Sequence, residues 1–399
     1  DGLVGSEMCI RDRPTGDARI VAWRGLENHI ENLSVDVREN EDNAVSINLR
    51  SLDLPKSFSD WVNGDVHVHM NYGGTYRNAP DRLADQARAE DLDVVFNLIV
   101  NKEQRVPDVA YFSPQPDAAS ADDVLIMHAQ EYHTSYWGHL GLIGLDSHLL
   151  VPDYSAYPDT AAASIYPDNP TIARLAHEQQ AAVGYVHPFE PPAPDPEGEN
   201  ALTNAFPVDA ALGLADYYEV VGFADPRTSA DVWYGLLNCG LQVSAAGGTD
   251  AMANYASLRG PVGINRTYVH VPELSNDPAT RQRQWIAGLK SGQSMATNGP
   301  LLGLTVNDQH PGSVLRVDGG EVAVDGFMRS SVPIDHVELV FNGAVVRTIE
   351  TDSSKLSADI AGQIKVDESG WVLLRAWNDS AHPMIFDLYP YATTTPVYI

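Results

Sequence analysis

The sequence predicts an α/β protein in which a barrel of alternating strands and helices is followed by an all-β domain. Short apolar runs alternate with helical segments from about residue 61 to 298, which is the pattern of βα units. After Gly299-Pro300 the helices stop, and short alternating runs with turn signals follow, as in a β-sandwich. Because 399 residues are too many for one ordinary core, two domains are expected.

The strands and helices of the predicted barrel can be placed from their patterns. Apolar runs of strand length occur at 65–69, 94–100, 124–130, 140–145, 182–187, 217–221, 241–246 and 267–271. Helical patterns fall between several of them, at 80–92, 170–180, 229–238 and 278–289. Pro80 and Pro170 fit the first helical turn, where a missing N–H costs nothing. We therefore expect a parallel βα sheet or barrel over residues 61–299.

The two ends of the chain are predicted separately. Residues 1–13 begin with aspartate and resemble translated sequencing-adapter read-through, so a non-native leader is expected there. Over 14–60, apolar runs such as 18–22 and 44–49 predict strands of a truncated N-terminal β-segment. Residues 300–399 form the predicted C-terminal β-sandwich.

Charge and composition restrict the classes of partner. Acidic residues outnumber basic ones by 54 to 25, which gives a formal net charge of −29. The negative electrostatic field of such a chain repels nucleic acid and anionic membranes. We therefore expect a small-molecule substrate and no nucleic-acid partner. No apolar run is long enough to predict a membrane span. With only two cysteines, the chain cannot form a disulfide scaffold or a thiolate-rich zinc site. The sequence does not determine the oligomeric state.

Histidines and carboxylates stand at the ends of several predicted strands. His67 and His69 lie two apart on one strand, so both imidazoles point to one face. The candidates at other strand ends are Glu131, His139, His187 and Asp250. The carboxyl ends of barrel strands form one mouth, and these residue types suit Zn²⁺, Mn²⁺ or Fe²⁺. The alternative is that the histidines are satisfied core residues and the acids cap helices.

The order of these motifs resembles that of the polymerase and histidinol phosphatase (PHP) superfamily. The similar segments are Gly64-Asp-Val-His-Val-His69, Glu131 with Gly138-His139, Val186-His-Pro188 and Gly248-Thr-Asp250. Gly299-Pro300 and the tail 391–398 resemble its CehA/McbA branch, named after a carbaryl hydrolase. The resemblance covers most of the chain from about residue 60 onward. It implies a distorted (βα)₇ barrel with up to three metal ions at the carboxyl-end mouth.

The resemblance also implies a distribution of metal ligands. One ion would be held by His67, His69, Glu131 and Asp250. Glu131 would bridge to a second ion held by His139 and His187. Three imidazoles expected around a third ion are missing, at 100–102, at 250–252 and near 72–76. Their absence predicts two divalent ions, Zn²⁺ or Mn²⁺, with Fe²⁺ as a further candidate.

Lys102 stands near the place of the missing third ion, and its ammonium is predicted to replace that cation. The alternatives are that Lys102 pairs with Glu103 or is a carbamylated metal ligand. The predicted reaction is attack by a metal-bound hydroxide on an ester-type bond, with Lys102 and Asp250 as catalytic residues. Candidates that contact an anionic group are Arg77, Arg105, Arg259 and Arg266, and those that line the pocket are Tyr72, Tyr132 and Tyr136.

The substrate class is only partly determined by the sequence. Two divalent ions outweigh the two carboxylates that bind them, and this residual positive charge favours a phosphoester. The branch resemblance favours a carboxyl or carbamate ester instead. The missing ligands leave a third alternative, a catalytically decayed metal- or ligand-binding protein. The β-sandwich and the branch resemblance together predict export, with a periplasmic or secreted location.

Overall fold

The computed structural model describes residues 14–39, 41, 43–101, 106–134, 137–150, 167–189 and 204–399. Its strands are β1 Gly16–Ala22, β2 Glu31–Val37, β3 Trp61–His69, β4 Val94–Val100, β5 Leu125–Tyr132, β6 Leu140–Ile143, β7 Ala182–Tyr185, β8 Tyr217–Val221, β9 Ser244–Gly247, β10 Ala251–Met252, β11 Arg266–His270, β12 Ser294–Thr297, β13 Leu301–Val306, β14 Gly320–Arg329, β15 His336–Phe341, β16 Ala344–Thr348, β17 Ser357–Val366, β18 Trp371–Trp377, β19 Tyr391–Thr394 and β20 Val397–Tyr398. Its helices are α1 Pro80–Ala89, α2 Val106–Val109, α3 Asn169–Glu178, α4 Phe206–Ala211, α5 Pro226–Asn238 and α6 Pro278–Lys290.

Four helices agree with the sequence pattern because their first turns carry recognisable signals. α3, α5 and α6 each begin after an aspartate whose side chain accepts a hydrogen bond from a backbone N–H in the first turn. Proline follows within that turn in each case, and also in α1. The short helices α2 and α4 were not predicted, since neither is long enough to show an apolar period.

Most of the strands belong to one mixed sheet of fifteen strands. Its order is β16-β15-β18-β19-β12-β11-β3-β4-β5-β6-β7-β8-β9, with β10 paired to β3 and β20 paired to β18. β3, β4 and β5 are parallel, as are β7, β8 and β9, but β6 is antiparallel to both of its neighbours. The sheet is therefore mixed, and the expected parallel βα pattern holds only within these two groups of strands. The connection from β5 to β6 is too short for the crossover that a parallel pair requires.

The parallel pairing of β10 with β3 determines where the site lies. Ala251 is opposite Val68 and Met252 is opposite His69, so the segment after β9 returns to the first strand of the parallel group. The carboxyl ends of β3, β5 and β7 then lie near the β9–β10 connection. A closed seven-stranded barrel stays a prediction.

The C-terminal part is built of strands, as expected. β19 pairs with β12, so several C-terminal strands extend the large sheet, while β13, β14 and β17 form a separate antiparallel sheet. Side chains of both sheets, such as Leu302, Ile360 and Leu374, share one apolar cluster. The boundary between residues 299 and 300 stays a prediction.

The N-terminal segment differs from its predicted pattern. Residues 18–22 lie in β1, but the partner of β1 is β2 at 31–37, and residues 44–49 form no strand. An alternating pattern identifies a strand only where a neighbouring edge is available to pair with it. Leu26, Leu52 and Phe58 join the same apolar cluster as the C-terminal sheets. The predicted leader at 1–13 lies outside the described residues. None of the helices described has the length and apolar character needed to span a bilayer.

Candidate metal centre

The structure brings together all six side chains that the sequence analysis assigned to metal binding. His67 and His69 end β3, and Glu131 lies near the end of β5. His139 precedes β6, His187 follows β7, and Asp250 lies between β9 and β10. The cluster is therefore assembled at the carboxyl ends of β3, β5, β7 and β9, with His139 at the amino end of the antiparallel β6.

The first group of donor atoms has a spacing that suits one divalent ion. His67 Nε2 lies 3.2 Å from His69 Nε2. His69 Nε2 lies 3.1 Å from Glu131 Oε2 and 3.0 Å from Asp250 Oδ1. For His67 Nε2 the corresponding distances are 3.5 and 3.4 Å. Metal–ligand bonds of about 2.0–2.1 Å in a tetrahedron put donor atoms about 3.3–3.4 Å apart, which matches these values.

A second group of donor atoms surrounds the other side of Glu131. Its Oε1 lies 2.9 Å from His139 Nδ1 and 3.2 Å from His187 Nε2. His133 Nε2 lies 2.7 Å from Oε2, and the rings of His133 and His139 stack with centroids 3.8 Å apart. Donor atoms of Glu131, His133 and His139 all lie within 4.8 Å of one another, as do those of Glu131, His67 and His187. Glu131 thus belongs to both sides of the cluster.

The sequence analysis did not assign His133 to the metal site. The sequence does contain an indication of its role, because His133 stands two residues after Glu131 and so shares the same face of the strand. His133 Nε2 is buried and lies 2.7 Å from Glu131 Oε2, but among the residues described it makes no hydrogen bond of good geometry. A buried nitrogen without a well-directed hydrogen bond costs free energy, and a metal ion bound between it and the carboxylate would remove that cost.

Glu219 is a residue of the site that the sequence analysis missed. It is buried on β8, and its Oε1 lies 3.1 Å from His67 Nδ1. Its Oε2 accepts a hydrogen bond of 2.8 Å from the backbone N–H of His187. His69 Nδ1 similarly lies 2.8 Å from the carbonyl oxygen of Leu98. With Nδ1–H donated to these partners, Nε2 of both imidazoles faces the cluster and is the nitrogen that would bind a metal ion.

Two residues of the cluster have left-handed backbone conformations. His187 has φ of 32° and Asp250 has φ of 56°. Such conformations cost residues other than glycine about 1–3 kcal/mol and persist where the surroundings hold them. The hydrogen bond from His187 N to Glu219 and one of 2.7 Å from Asp250 N to the carbonyl of His67 hold them here. Two of the residues with a left-handed backbone in the described structure therefore lie in the cluster.

Without metal, the cluster shares protons between its imidazoles and carboxylates. Burial opposes charge on His67, but Glu219, Asp250 and Glu131 outweigh it and raise its pKa well above the ordinary value. Against burial, Asp250 and Glu131 raise the pKa of His69 to about 9. The imidazoles in turn hold the pKa of both Glu131 and Asp250 low despite their burial. These carboxylates are therefore ionised, which is the form that binds a cation.

Gly248 is positioned where a side chain does not fit. A methyl group there would lie 2.5 Å from Glu219 Oε1 and 2.7 Å from His67 Cβ. The Gly248→Ala variant is expected to lose about 1–3 kcal/mol of unfolding free energy by overpacking, and to bind metal more weakly. Urea denaturation and a metal titration would measure the two effects. The control is Gly235→Ala, since a methyl group at Gly235 meets nothing within 4 Å. Equal behaviour of the two variants would contradict the prediction.

The predicted substrate-binding residues are placed differently from one another. The Tyr72 ring lies 5.0 Å from that of His69, beside the cluster. Arg77 is exposed and donates to the carbonyl of Gly74 in the loop after β3. The Arg266 guanidinium is buried and donates to the carbonyl oxygens of Gly263, Glu90 and Asp91. The guanidinium of Arg266 therefore donates its hydrogen bonds to backbone carbonyl oxygens, and the structure does not bring it to the cluster.

Three further predicted residues, Lys102, Arg105 and Tyr136, lie outside the described residues. Tyr132 is buried at the end of β5. Arg259 is next to the cluster, with Nη1 2.7 Å from Asp250 Oδ2. Asp250 therefore turns one oxygen to the imidazoles and the other to an arginine.

No protein-family model matches the sequence, and neither does any curated protein sequence. Solved structures similar to the chain include the following two. One is a two-domain protein containing a predicted PHP-like metal-dependent phosphoesterase from Bacteroides vulgatus, with a TM-score of 0.39, 15% identity, and coverage of 85% of this chain and 95% of that one. The other is Endonuclease Q in complex with a 27-mer duplex that has an abasic lesion at the active site, with a TM-score of 0.34, 15% identity and coverage of 57% of each chain.

The expectation that nucleic acid is excluded as a partner is corrected by this comparison. Endonuclease Q was solved with duplex DNA bound, which conflicts with the expectation of no nucleic-acid partner, and that expectation is withdrawn. The value of −29 is a sum over the whole chain. Recognition of a phosphate backbone depends on the charge of one local surface, which the sum does not describe.

Proposed function

We propose that the chain is a metal-dependent hydrolase of the PHP type that cleaves an ester bond, with phosphoesters favoured. The observation that carries this proposal is the position of Glu131 between two sets of imidazoles. One of its oxygens faces His67, His69 and His133, and the other faces His139 and His187. A carboxylate shared in this way suits a pair of divalent ions, which in hydrolases lie about 3.5–4 Å apart.

The proposed ligands follow from the two groups of donor atoms. His67, His69 and Asp250 would hold one ion together with Glu131. His139 and His187 would hold the second with the other oxygen of Glu131, joined by His133, which contacts Oε2 and stacks on His139. Zn²⁺ and Mn²⁺ fit this set of nitrogen and oxygen donors. When bound, such ions act as Lewis acids and lower the pKa of water to about 7.

The chain's own residues determine which substrate is favoured. Two divalent ions would carry four positive charges, and the carboxylates of Glu131 and Asp250 neutralise two of them. The centre would therefore stay positive and attract an anion. Glu219 keeps His67 oriented with Nε2 towards the centre. Asp250 lies between the imidazoles and the partly exposed Arg259, a position suited to proton transfer at the mouth of the site. The catalytic roles of Asp250 and Lys102 are part of this proposal.

An activity panel tests the proposed function. Purified protein would be loaded with Mn²⁺ or Zn²⁺ and assayed with p-nitrophenyl phosphate, bis(p-nitrophenyl) phosphate and p-nitrophenyl acetate. Metal-dependent hydrolysis of either phosphate is the expected result. Hydrolysis of the acetate alone would favour the carboxyl or carbamate esterase instead. Less than one tightly bound metal ion per chain, with no hydrolysis, would favour a decayed binding protein.

Metal binding is expected to release protons at neutral pH. A metal ion binds only the unprotonated nitrogen of an imidazole. The metal-free cluster raises the pKa of His67 well above its ordinary value and that of His69 to about 9, so both are protonated at neutral pH. Affinity for metal should therefore rise as the pH increases towards about 9 and fall as the pH is lowered.

Isothermal titration calorimetry in buffers with different ionisation enthalpies would measure this release. The expected heat of metal binding changes from buffer to buffer, in the direction of protons passing from protein to buffer. A heat that does not depend on the buffer, or an affinity that is equal at neutral and mildly acidic pH, would contradict the prediction.

A further inference from the structure

Large apolar side chains are exposed in the loops next to the cluster. Phe223 follows β8 and is 50% exposed, and Tyr255 follows β10 and is 46% exposed. Leu258, in the same loop as Tyr255, is 99% exposed. We call Phe223, Tyr255 and Leu258 the apolar rim. Leaving such side chains in water has no benefit for folding, so a group of them beside a site indicates a binding surface.

Arg259 connects this rim to the proposed metal centre. Its Nη1 pairs with Asp250 Oδ2 at 2.7 Å, and its Cζ lies 4.4 Å from the centre of the Phe223 ring. The side chain is 26% exposed. A guanidinium has five N–H donors, and within the described parts of the chain Asp250 is its one carboxylate partner. Its remaining donors are therefore available to an anionic ligand at the mouth.

The loop after β10, which carries Tyr255 and Leu258, is held in place before any ligand binds. Asn254 donates to the carbonyl oxygens of Gly73 at 2.7 Å and Tyr76 at 3.1 Å, and it accepts from the backbone N–H of Tyr72 at 3.3 Å. These bonds tie the loop after β10 to the loop after β3. A surface that is already ordered binds its ligand without the entropic cost of ordering it.

We propose that Arg259 and the apolar rim bind the substrate, which is an ester with an anionic phosphoryl group and a flat apolar ring. This inference rests on the proposed function and names its substrate class. Arg259 contacts an anionic oxygen of the phosphoryl group, whose charge complements both the guanidinium and the metal ions. The ring packs against Phe223 and Leu258, because aromatic faces offer a large contact area to a planar group.

Binding of two phosphonates would test the proposal without turnover, since the C–P bond is not an ester. The probes are phenylphosphonate and methylphosphonate, titrated into Zn²⁺-loaded protein by calorimetry. Phenylphosphonate is expected to bind about five- to tenfold more tightly. Phe223→Ala or Leu258→Ala should reduce this ratio to near one, because each variant weakens phenylphosphonate binding more than methylphosphonate binding. Arg259→Gln should weaken both ligands about tenfold, with metal content measured in parallel.

Matched controls separate the rim from general surface effects. Leu212 is 52% exposed on the surface beyond α4, and Arg283 is an α6 arginine that contacts Thr280. Leu212→Ala and Arg283→Ala should leave both affinities unchanged. An unchanged ratio in both rim variants, or equal affinities in the original protein, would overturn the proposal. If the phosphonate pattern holds but no phosphoester is cleaved, the proposed function fails and the binding surface remains.

Discussion

Replacing Glu131 with glutamine is expected to abolish tight metal binding and to lower kcat/KM by more than about a hundredfold. Loss of a residue that only orients a ligand costs up to about a hundredfold, and loss of a direct ligand should cost more. The side chain keeps its size but loses its charge, and one oxygen becomes an NH₂ group that cannot bind a cation. Both groups of imidazoles lose their common carboxylate. Metal content by elemental analysis and steady-state kinetics with the best phosphoester would measure the two effects.

The control for this prediction is Glu321→Gln, which changes an exposed carboxylate on β14 by the same substitution. It should keep full metal content and activity. Circular dichroism would establish that both variants fold. If the folded Glu131→Gln protein retains its metal ions and its activity, Glu131 does not link the two halves of the site.

Replacing Glu219 with glutamine is expected to weaken metal binding about 10–100-fold, the usual cost of losing the carboxylate partner of a metal-bound histidine. Glu219 touches His67 Nδ1 and the backbone N–H of His187. It is also the largest of the carboxylate contributions that raise the pKa of His67. The variant should therefore lower that pKa, and the pH dependence of metal binding should move to lower pH.

A metal-competition titration at several pH values would measure both the affinity and its pH dependence. Glu338→Gln is a matched control, because Glu338 is also buried and accepts hydrogen bonds from Arg375 and Trp377, but it lies on β15 in the C-terminal part of the chain. That variant can lose stability without changing the pH profile. If Glu219→Gln weakens binding but the pH dependence stays the same, the residue acts through packing and not through the His67 imidazole.

The six predicted ligands meet in the structure, and the sequence pointed to them because each stands at one end of an apolar run. Strand alternation places His67 and His69 on one face, and the shared end of parallel strands brings Glu131 and Asp250 to them. Strand alternation and the common direction of parallel strands can both be inferred from the pattern of a single sequence, without knowledge of the contacts between side chains. The N-terminal strand predicted at 44–49 was wrong because strand pairing depends on which edge is available in space.

Glu219 and Arg259 show which part of the site these rules do not reach. Glu219 lies inside the buried run Tyr217–Val221, where an acidic residue is itself a signal because burial of an unpaired carboxylate is costly. Its partner, the imidazole of His67, is 152 positions away in the chain. Arg259 lies in a loop, and no pattern distinguishes it from Arg266, which is buried and bonded to backbone carbonyls. Only the three-dimensional contacts separate the two arginines.

Anomalous X-ray scattering from crystals loaded with Zn²⁺ or Mn²⁺ tests most directly whether residues from distant parts of the chain hold shared metal ions. The account predicts two peaks on either side of Glu131, each about 2.0–2.2 Å from imidazole nitrogens and carboxylate oxygens of the cluster. His67 and His69 should contact one peak and His139 the other. Crystals in which the cluster contains no anomalous peak, while metal is bound elsewhere on the protein, would contradict the account.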